Sequence, residues 1–114
     1  MILAAGRTNV EKLLSGDAAG KKFVSIAVGT SDTAVSDTDT TITNAVVKAI
    51  STVDYLSDGY VQFNTTLEAN DPAMVINEIG LINDAGTLCY RKVIASMNKV
   101  LGTTYAISYK IKVQ

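Results

Sequence analysis

Two stretches of the chain alternate apolar and polar residues with a period of two. In the range 60–68, Val61, Phe63, Thr65 and Leu67 face one way and the polar residues between them face the other. The range 105–113 repeats the pattern with Tyr, Ile, Tyr, Ile and Val at every second position. This period is typical of antiparallel strands with one buried face. The pattern therefore predicts two half-buried strands, and the lysines on the polar face of the second would guard it against unwanted pairing.

Three further regions predict strands. The range 23–30 is rich in β-branched residues and carries small residues on one face, and the range 46–53 follows as another strand. In the range 76–93, two apolar runs flank Asn83-Asp84-Ala85-Gly86, which are residues that favour a tight turn. We expect a hairpin there, followed by a connection over 96–102. The small face of 23–30, made by Ser25, Ala27 and Gly29, would allow another chain to approach closely.

Residues 8–16 predict one short helix, capped by Thr8 or Asn9 and ended by Gly16. With about six strands separated by turns, the chain is predicted to be all-β: a small antiparallel β-sandwich with one short N-terminal helix. We divide it into an N-terminal arm and helix, 1–22, and a β-sandwich domain, 23–114.

Apolar residues near the N-terminus have no evident cover within the predicted sandwich. Burying a large apolar side chain gains roughly 1.5–3 kcal/mol, so uncovered ones indicate a partner. The helix adds an apolar face by the i, i+3, i+4 rule. The residues predicted to make subunit contacts are Met1, Ile2, Leu3, Val10, Leu13 and Leu14.

Composition excludes several classes of function. The 114 residues contain no histidine and one cysteine, Cys89, which removes the Ser-His-Asp triad, an intrachain disulfide and a multi-cysteine zinc site. A net charge of −1 disfavours nucleic-acid binding, and no apolar run is long enough to span a membrane. We expect a non-enzymatic protein without cofactors, made in the cytoplasm, with neither nucleic acid nor membrane as its partner.

Glu78 lies inside an apolar run, where a carboxylate is costly unless it has a partner. We expect it to be at least partly buried and within hydrogen-bonding reach of a basic side chain on a neighbouring strand, such as Arg91 or Lys99, or of backbone N–H groups. Such a pair specifies geometry more surely than it adds stability.

The range 31–41 is short and polar and contains three aspartates. Clustered oxygen ligands suit calcium, but the spacing does not match an EF-hand loop, and Asp and Thr are also ordinary turn formers. We expect an exposed loop without a bound metal.

The ordered set of these pieces resembles small phage virion proteins of the tail-fibre or tail-collar-fibre type. The resemblance rests on Ile26–Thr30, Val46–Ile50, the Ile-x-Glu-x-Gly-Leu stretch within 76–88, Arg91, and Asn98-Lys99 before a last alternating strand. It implies a structural protein of the phage particle without catalytic residues: a fibre, a fibre-attachment protein or a decoration protein of tail or head. It also implies a homo-oligomer, most often a trimer, with other virion proteins as partners. The alternative left open is a free-standing β-sandwich module that binds a carbohydrate or a cell-surface ligand.

Overall fold

The fold is taken from a computed structural model of the chain, which describes residues 1–112. It has one α-helix, a short 3-10 turn and seven strands in this part of the chain. Their bounds are α1 Ala4–Ser15, β1 Phe23–Gly29, β2 Val46–Ala49, β3 Thr52–Tyr55, the 3-10 turn Ser57–Gly59, β4 Tyr60–Leu67, β5 Met74–Asn83, β6 Leu88–Lys99 and β7 Tyr105–Lys112. The end of the last predicted strand, Val113, lies outside the described residues.

Two antiparallel sheets face each other, which confirms the predicted β-sandwich. Sheet A has the strand order β2-β1-β5-β6, and sheet B has the order β3-β4-β7. The apolar side chains of the inner faces form the core between them. Its buried members are Ile26, Val28, Phe63, Leu67, Ile76, Ile79, Leu81, Ile107 and Tyr109.

The single strand predicted over 46–53 is instead two strands in different sheets. β2 pairs with β1, whereas β3 pairs with β4, and Ile50 and Ser51 connect them. Ile50 N–H donates to Val24 C=O of sheet A, while Ser51 N–H donates to Asn64 C=O of sheet B. The chain therefore changes sheets between these two residues, which a continuous β-branched run does not reveal.

The central hairpin forms as predicted, but its second strand is longer than expected. Asn83 organises the turn: its side-chain oxygen accepts from Ala85 and Thr87 N–H, and Gly86 adopts a φ of 81°. β6 then continues to Lys99, so the expected connection over 96–102 begins with four residues of strand. Pairing with the first part of β5 extends it, because Ile76 lies opposite Met97.

The helix begins four residues earlier than predicted. Its N-cap residue is Leu3, which makes no side-chain cap, so neither Thr8 nor Asn9 fills that role. Asn9 is instead buried, and its amide bonds to the backbone of Lys21 and to Asn83. The C-terminal prediction is confirmed, since Gly16 adopts a φ of 75° and closes the helix.

The outer face of sheet A is covered in part by the chain itself, around Gly29 and Gly80. A Cβ added to Gly80 would lie 3.1 Å from Ile42 Cδ1 and 2.8 Å from Tyr90 C=O, and Gly29 packs against Ile42 and Thr43 in the same way. We call residues 30–45 the covering loop. The small face of β1 therefore receives this loop, and the expectation that it admits another chain is wrong at Gly29.

Candidate functional site

An open apolar groove lies between helix α1 and one end of the sandwich, where residues of both sheets line it. Its volume is about 360 Å³. Three residues predicted to make subunit contacts, Val10, Leu13 and Leu14, form one wall. The complete lining, which we call the apolar groove, is Val10, Leu13, Leu14, Phe23, Val61, Phe63, Tyr90, Ile111 and Lys112.

The floor of the groove is held by aromatic packing. The Phe23 ring meets the Phe63 and Tyr90 rings edge to face, with centroids 5.6 and 5.7 Å apart. Such pairs add specific geometry to apolar burial. The helix side of the groove is exposed to solvent by contrast, because Leu14 is 80% exposed. A fixed apolar floor beside an exposed leucine is suited to receive an apolar group of another molecule.

Within residues 1–112, strand β3 is an outermost strand of sheet B, and it lies beside β4, whose Val61 and Phe63 line the groove. All four of its residues are exposed, and Tyr55 is 85% exposed. The register places Tyr55 beside Val61 and places Val53 beside Phe63. Because neighbours in register share a sheet face, the apolar row of the groove continues to the edge of the sheet.

The two edges of sheet B carry opposite charges. Lys110 and Lys112 on β7 lie over the Tyr60 ring, at 5.2 and 5.5 Å from its centroid. Asp54 on β3 and Asp58 in the turn after it are both exposed. One edge is therefore basic and the opposite edge is acidic.

A further lysine, Lys92 on β6, reaches across to β7 of the other sheet. Lys92 Nζ lies 4.6 Å from the centroid of the Tyr109 ring. Burial, together with repulsion from Lys110, lowers the pKa of Lys92 below its ordinary value. Burial also raises the pKa of Tyr109, because the phenolate would be left in an apolar environment.

Glu78 and Arg91 form a buried ion pair beneath the covering loop. Glu78 is fully buried, and its Oε1 accepts from Arg91 Nε at 2.8 Å. Its Oε2 accepts from the backbone N–H groups of Ser31 and Thr43, at 2.7 and 3.2 Å. The predicted pairing of Glu78 with a basic side chain is thus present, and the carboxylate also binds both ends of the covering loop.

Arg91 extends this cluster to the middle of the covering loop. Its Nη1 donates to Asp39 Oδ2 and its Nη2 donates to Thr33 C=O, each at 3.0 Å. Burial disfavours the charged guanidinium, but hydrogen bonds and attraction to Glu78 and Asp39 outweigh it and raise the pKa of Arg91. We call Glu78, Arg91 and Asp39 the latch, because every hydrogen bond of the Arg91 side chain goes either to Glu78 or to the covering loop.

Lys99 is not the partner of Glu78. The register of β5 and β6 places Glu78 opposite Val93, whereas Lys99 lies opposite Met74 at the other end of the hairpin. Lys99 is buried, and its Nζ donates to the C=O groups of Asp71 and Val100 at 3.2 and 2.9 Å. It ties the end of β6 to neighbouring connections and has no part in the latch.

The first three residues are less available to a partner than predicted. Leu3 is fully buried within its own chain, and its N–H donates to Cys89 C=O at 2.9 Å. Ile2 forms an isolated antiparallel bridge with Tyr90. The expectation that this segment is surplus apolar surface is therefore wrong for Leu3, whereas Met1 is still 55% exposed.

The aspartate-containing range 31–41 is exposed only in part. Asp32 is exposed, but Asp39 is half-buried against Arg91, and Asp37 pairs with Arg7 at 3.0 Å. Within residues 1–112, no three acidic or thiol groups gather in a way that could hold a metal ion. The aspartates at 37 and 39 thus act as partners of arginines. No helix in this part of the chain is long and apolar enough to cross a membrane.

Sequence reasoning missed the contacts of the covering loop with Glu78 and Arg91, and it missed the exposed strand that contains Tyr55. The signal available for the loop was a buried glutamate with more hydrogen-bonding capacity than one arginine satisfies. The signal for Tyr55 was the alternation of Val53 and Tyr55 with polar residues just before a turn, which is typical of a short strand.

Comparisons of the chain with protein-family models, with curated proteins and with solved structures give no match.

Proposed function

We propose that this protein is a non-enzymatic structural component of a phage particle, acting through subunit contacts as a fibre, fibre-attachment or decoration protein of tail or head. The assignment to a virion is supported by the resemblance in Ile26–Thr30, Val46–Ile50 and 76–88. The observation that carries the role in subunit contacts is the apolar groove, which brings Val10, Leu13 and Leu14 together beside an unpaired sheet edge.

Energetics favour an occupied groove. Each large apolar side chain left in water forgoes roughly 1.5–3 kcal/mol that burial would supply. Leu14 and Tyr55 are among the most exposed apolar residues of the chain, and Leu13 is exposed beside Leu14. Contiguous exposed apolar surface of this kind is typical of protein interaction sites.

The latch supports the same proposal from the opposite face. A buried ion pair contributes more to defined geometry than to net stability. Here it fixes the covering loop on sheet A through Glu78, Arg91 and Asp39. A subunit that contacts several neighbours needs surfaces held in constant relative positions. The latch holds the covering loop in a constant position on the outer face of sheet A.

The proposal is tested on particles produced by the strain that carries this gene. Particles are purified by density gradient, and their proteins are quantified by mass spectrometry. The proposal expects this chain in the particles at many copies or at a multiple of three, and defective particles when the gene is disrupted. A chain found only free in the lysate, with intact particles from the disrupted strain, would overturn it. A free monomer that binds a glycan would then support the alternative of a binding module.

A further inference from the structure

We propose that copies of this chain join head to tail through sheet B, with β3 of one copy adding to β7 of the next. The partner is a second copy of the same chain. The inference rests on the proposed function and deepens it, because it names the contact that builds the assembly.

Both edges of sheet B have free backbone groups. The sheet order is β3-β4-β7, and within residues 1–112 no strand lies beyond β3 or β7. Leu56 N–H donates to Tyr60 C=O, and bonded pairs alternate along an antiparallel ladder. The N–H and C=O groups of Val53 and Tyr55 therefore point away from β4. By the same alternation on β7, the N–H and C=O groups of Ser108 and Lys110 point away from β4.

Charge selects the pairing of unlike edges. The β3 edge carries Asp54 and Asp58, whereas the β7 edge carries Lys110 and Lys112, and all four are exposed. Pairing two β7 edges would place lysines against lysines, and pairing two β3 edges would place aspartates against aspartates. Like charges across a contact are unfavourable and opposite charges fix the register. The unlike pairing is the one in which acidic and basic side chains meet.

Strand direction and side-chain facing agree with this contact. β3 and β7 both run antiparallel to β4, so β3 of one copy would lie parallel to β7 of the next. If the register within sheet B continues into the next copy, Asp54 of one copy lies beside Lys110 of its neighbour on the outer face. On the inner face it places Tyr55 beside Ile111, which lines the apolar groove. The exposed Tyr55 of one copy would thus extend the apolar row of its neighbour.

A contact between two different edges is heterologous, and such contacts close into rings when the rotation allows. Three copies form the smallest ring of this kind. Every β3 and every β7 edge is then paired, which removes the free edges of sheet B without any further protein.

The direct test is cross-linking between two variants of the full chain. Asp54→Cys and a tagged Lys110→Cys are mixed, exchanged and treated with a short bismaleimide. The buried Cys89 of the wild-type chain serves as the control for background reaction. We expect cross-links between the two variants and few within either variant alone. Cross-links mainly within Asp54→Cys or within Lys110→Cys would indicate like edges and overturn the proposal.

A charge-swap series separates edge pairing from loss of folding. Asp54→Lys and Lys110→Glu should each reduce association at least about tenfold, and the double variant carrying both should recover most of it. Circular dichroism checks that each variant is folded. If the single changes leave association unaltered, or if the double variant is no better than either, the head-to-tail contact is wrong. The virion assignment is tested separately, by the presence of the chain in purified particles.

Discussion

Arg91 Nε lies 2.8 Å from Glu78 Oε1, and both side chains are almost completely buried. The two residues lie on adjacent strands, β6 and β5, two rows apart in the register: Arg91 is opposite Gly80, and Glu78 is opposite Val93. The absence of a side chain at Gly80 leaves the space above the sheet that the covering loop occupies. The ion pair therefore fastens two strands and a loop at one place.

Replacing Glu78 by Gln should destabilise the protein strongly. The change leaves the buried guanidinium of Arg91 without its nearest counter-charge, and breaking a buried pair in this way costs about 3–5 kcal/mol. Urea denaturation measures the loss. Glu68→Gln, at an exposed position, is the matched control and should unfold near the wild-type midpoint. Equal midpoints for the two variants would show that the pair has no such role.

Replacing Asp39 by Asn should loosen the covering loop while the sheets stay intact. Asp39 contributes one of the two carboxylates around Arg91, but it is partly exposed, so its loss affects mainly the loop. Hydrogen exchange should become faster for backbone amides within residues 30–45 and stay unchanged in β5. Asp32→Asn, at an exposed position of the same loop, is the control. Uniform protection in both variants would argue against the latch.

The sequence predicts those features that depend on local pattern. Alternation along β7 identifies its buried residues, Ile107 and Tyr109, because the strand lies across a single core. The cost of burying a charge identifies Glu78 and its need for a cation. Both inferences need only the residue and its immediate neighbours.

Features that depend on where the chain goes next could not be predicted. Every residue of 46–53 is compatible with a strand. The division at Ile50 and Ser51 arises because Ile50 hydrogen-bonds to sheet A and Ser51 hydrogen-bonds to sheet B. The choice between Arg91 and Lys99 required the register of β5 and β6, which bulges shift at two places. The burial of Leu3 required knowing that the first residues pair with β6.

Replacing Gly6 by Ala should displace helix α1 from sheet A. A Cβ at this position would collide with the backbone C=O of Cys89, which belongs to a strand and cannot move aside. Overpacking of this kind costs about 1–3 kcal/mol. Thermal unfolding should show a clear loss, whereas Ala5→Ser, at the exposed neighbouring position, should change little. An unaltered melting temperature for Gly6→Ala would contradict the close approach of helix and strand.

Stability should fall as the pH rises above 9. Burial raises the pKa of the Cys89 thiol from its ordinary value of 9.0 to about 11. Between these values the unfolded chain releases the thiol proton while the folded chain keeps it, so stability present below pH 9 is lost toward pH 11. Melting temperatures of wild type and Cys89→Ala are compared across this window. The wild type should lose more stability than the variant, and parallel pH profiles would contradict the burial of the thiol.

We expect the chain to work as a subunit of an assembly, with the apolar groove among its contacts. Sedimentation equilibrium of the full chain tests it most directly, together with Leu14→Asp and with Ser15→Asp, which adds the same charge one position further along the exposed end of the helix. We predict an oligomer, three times the 12.0 kDa chain mass in its simplest form, for wild type and Ser15→Asp. Leu14→Asp should dissociate at concentrations at which both of these stay assembled. A wild-type chain that sediments as a 12.0 kDa monomer at all concentrations, unaffected by either change, would contradict the account.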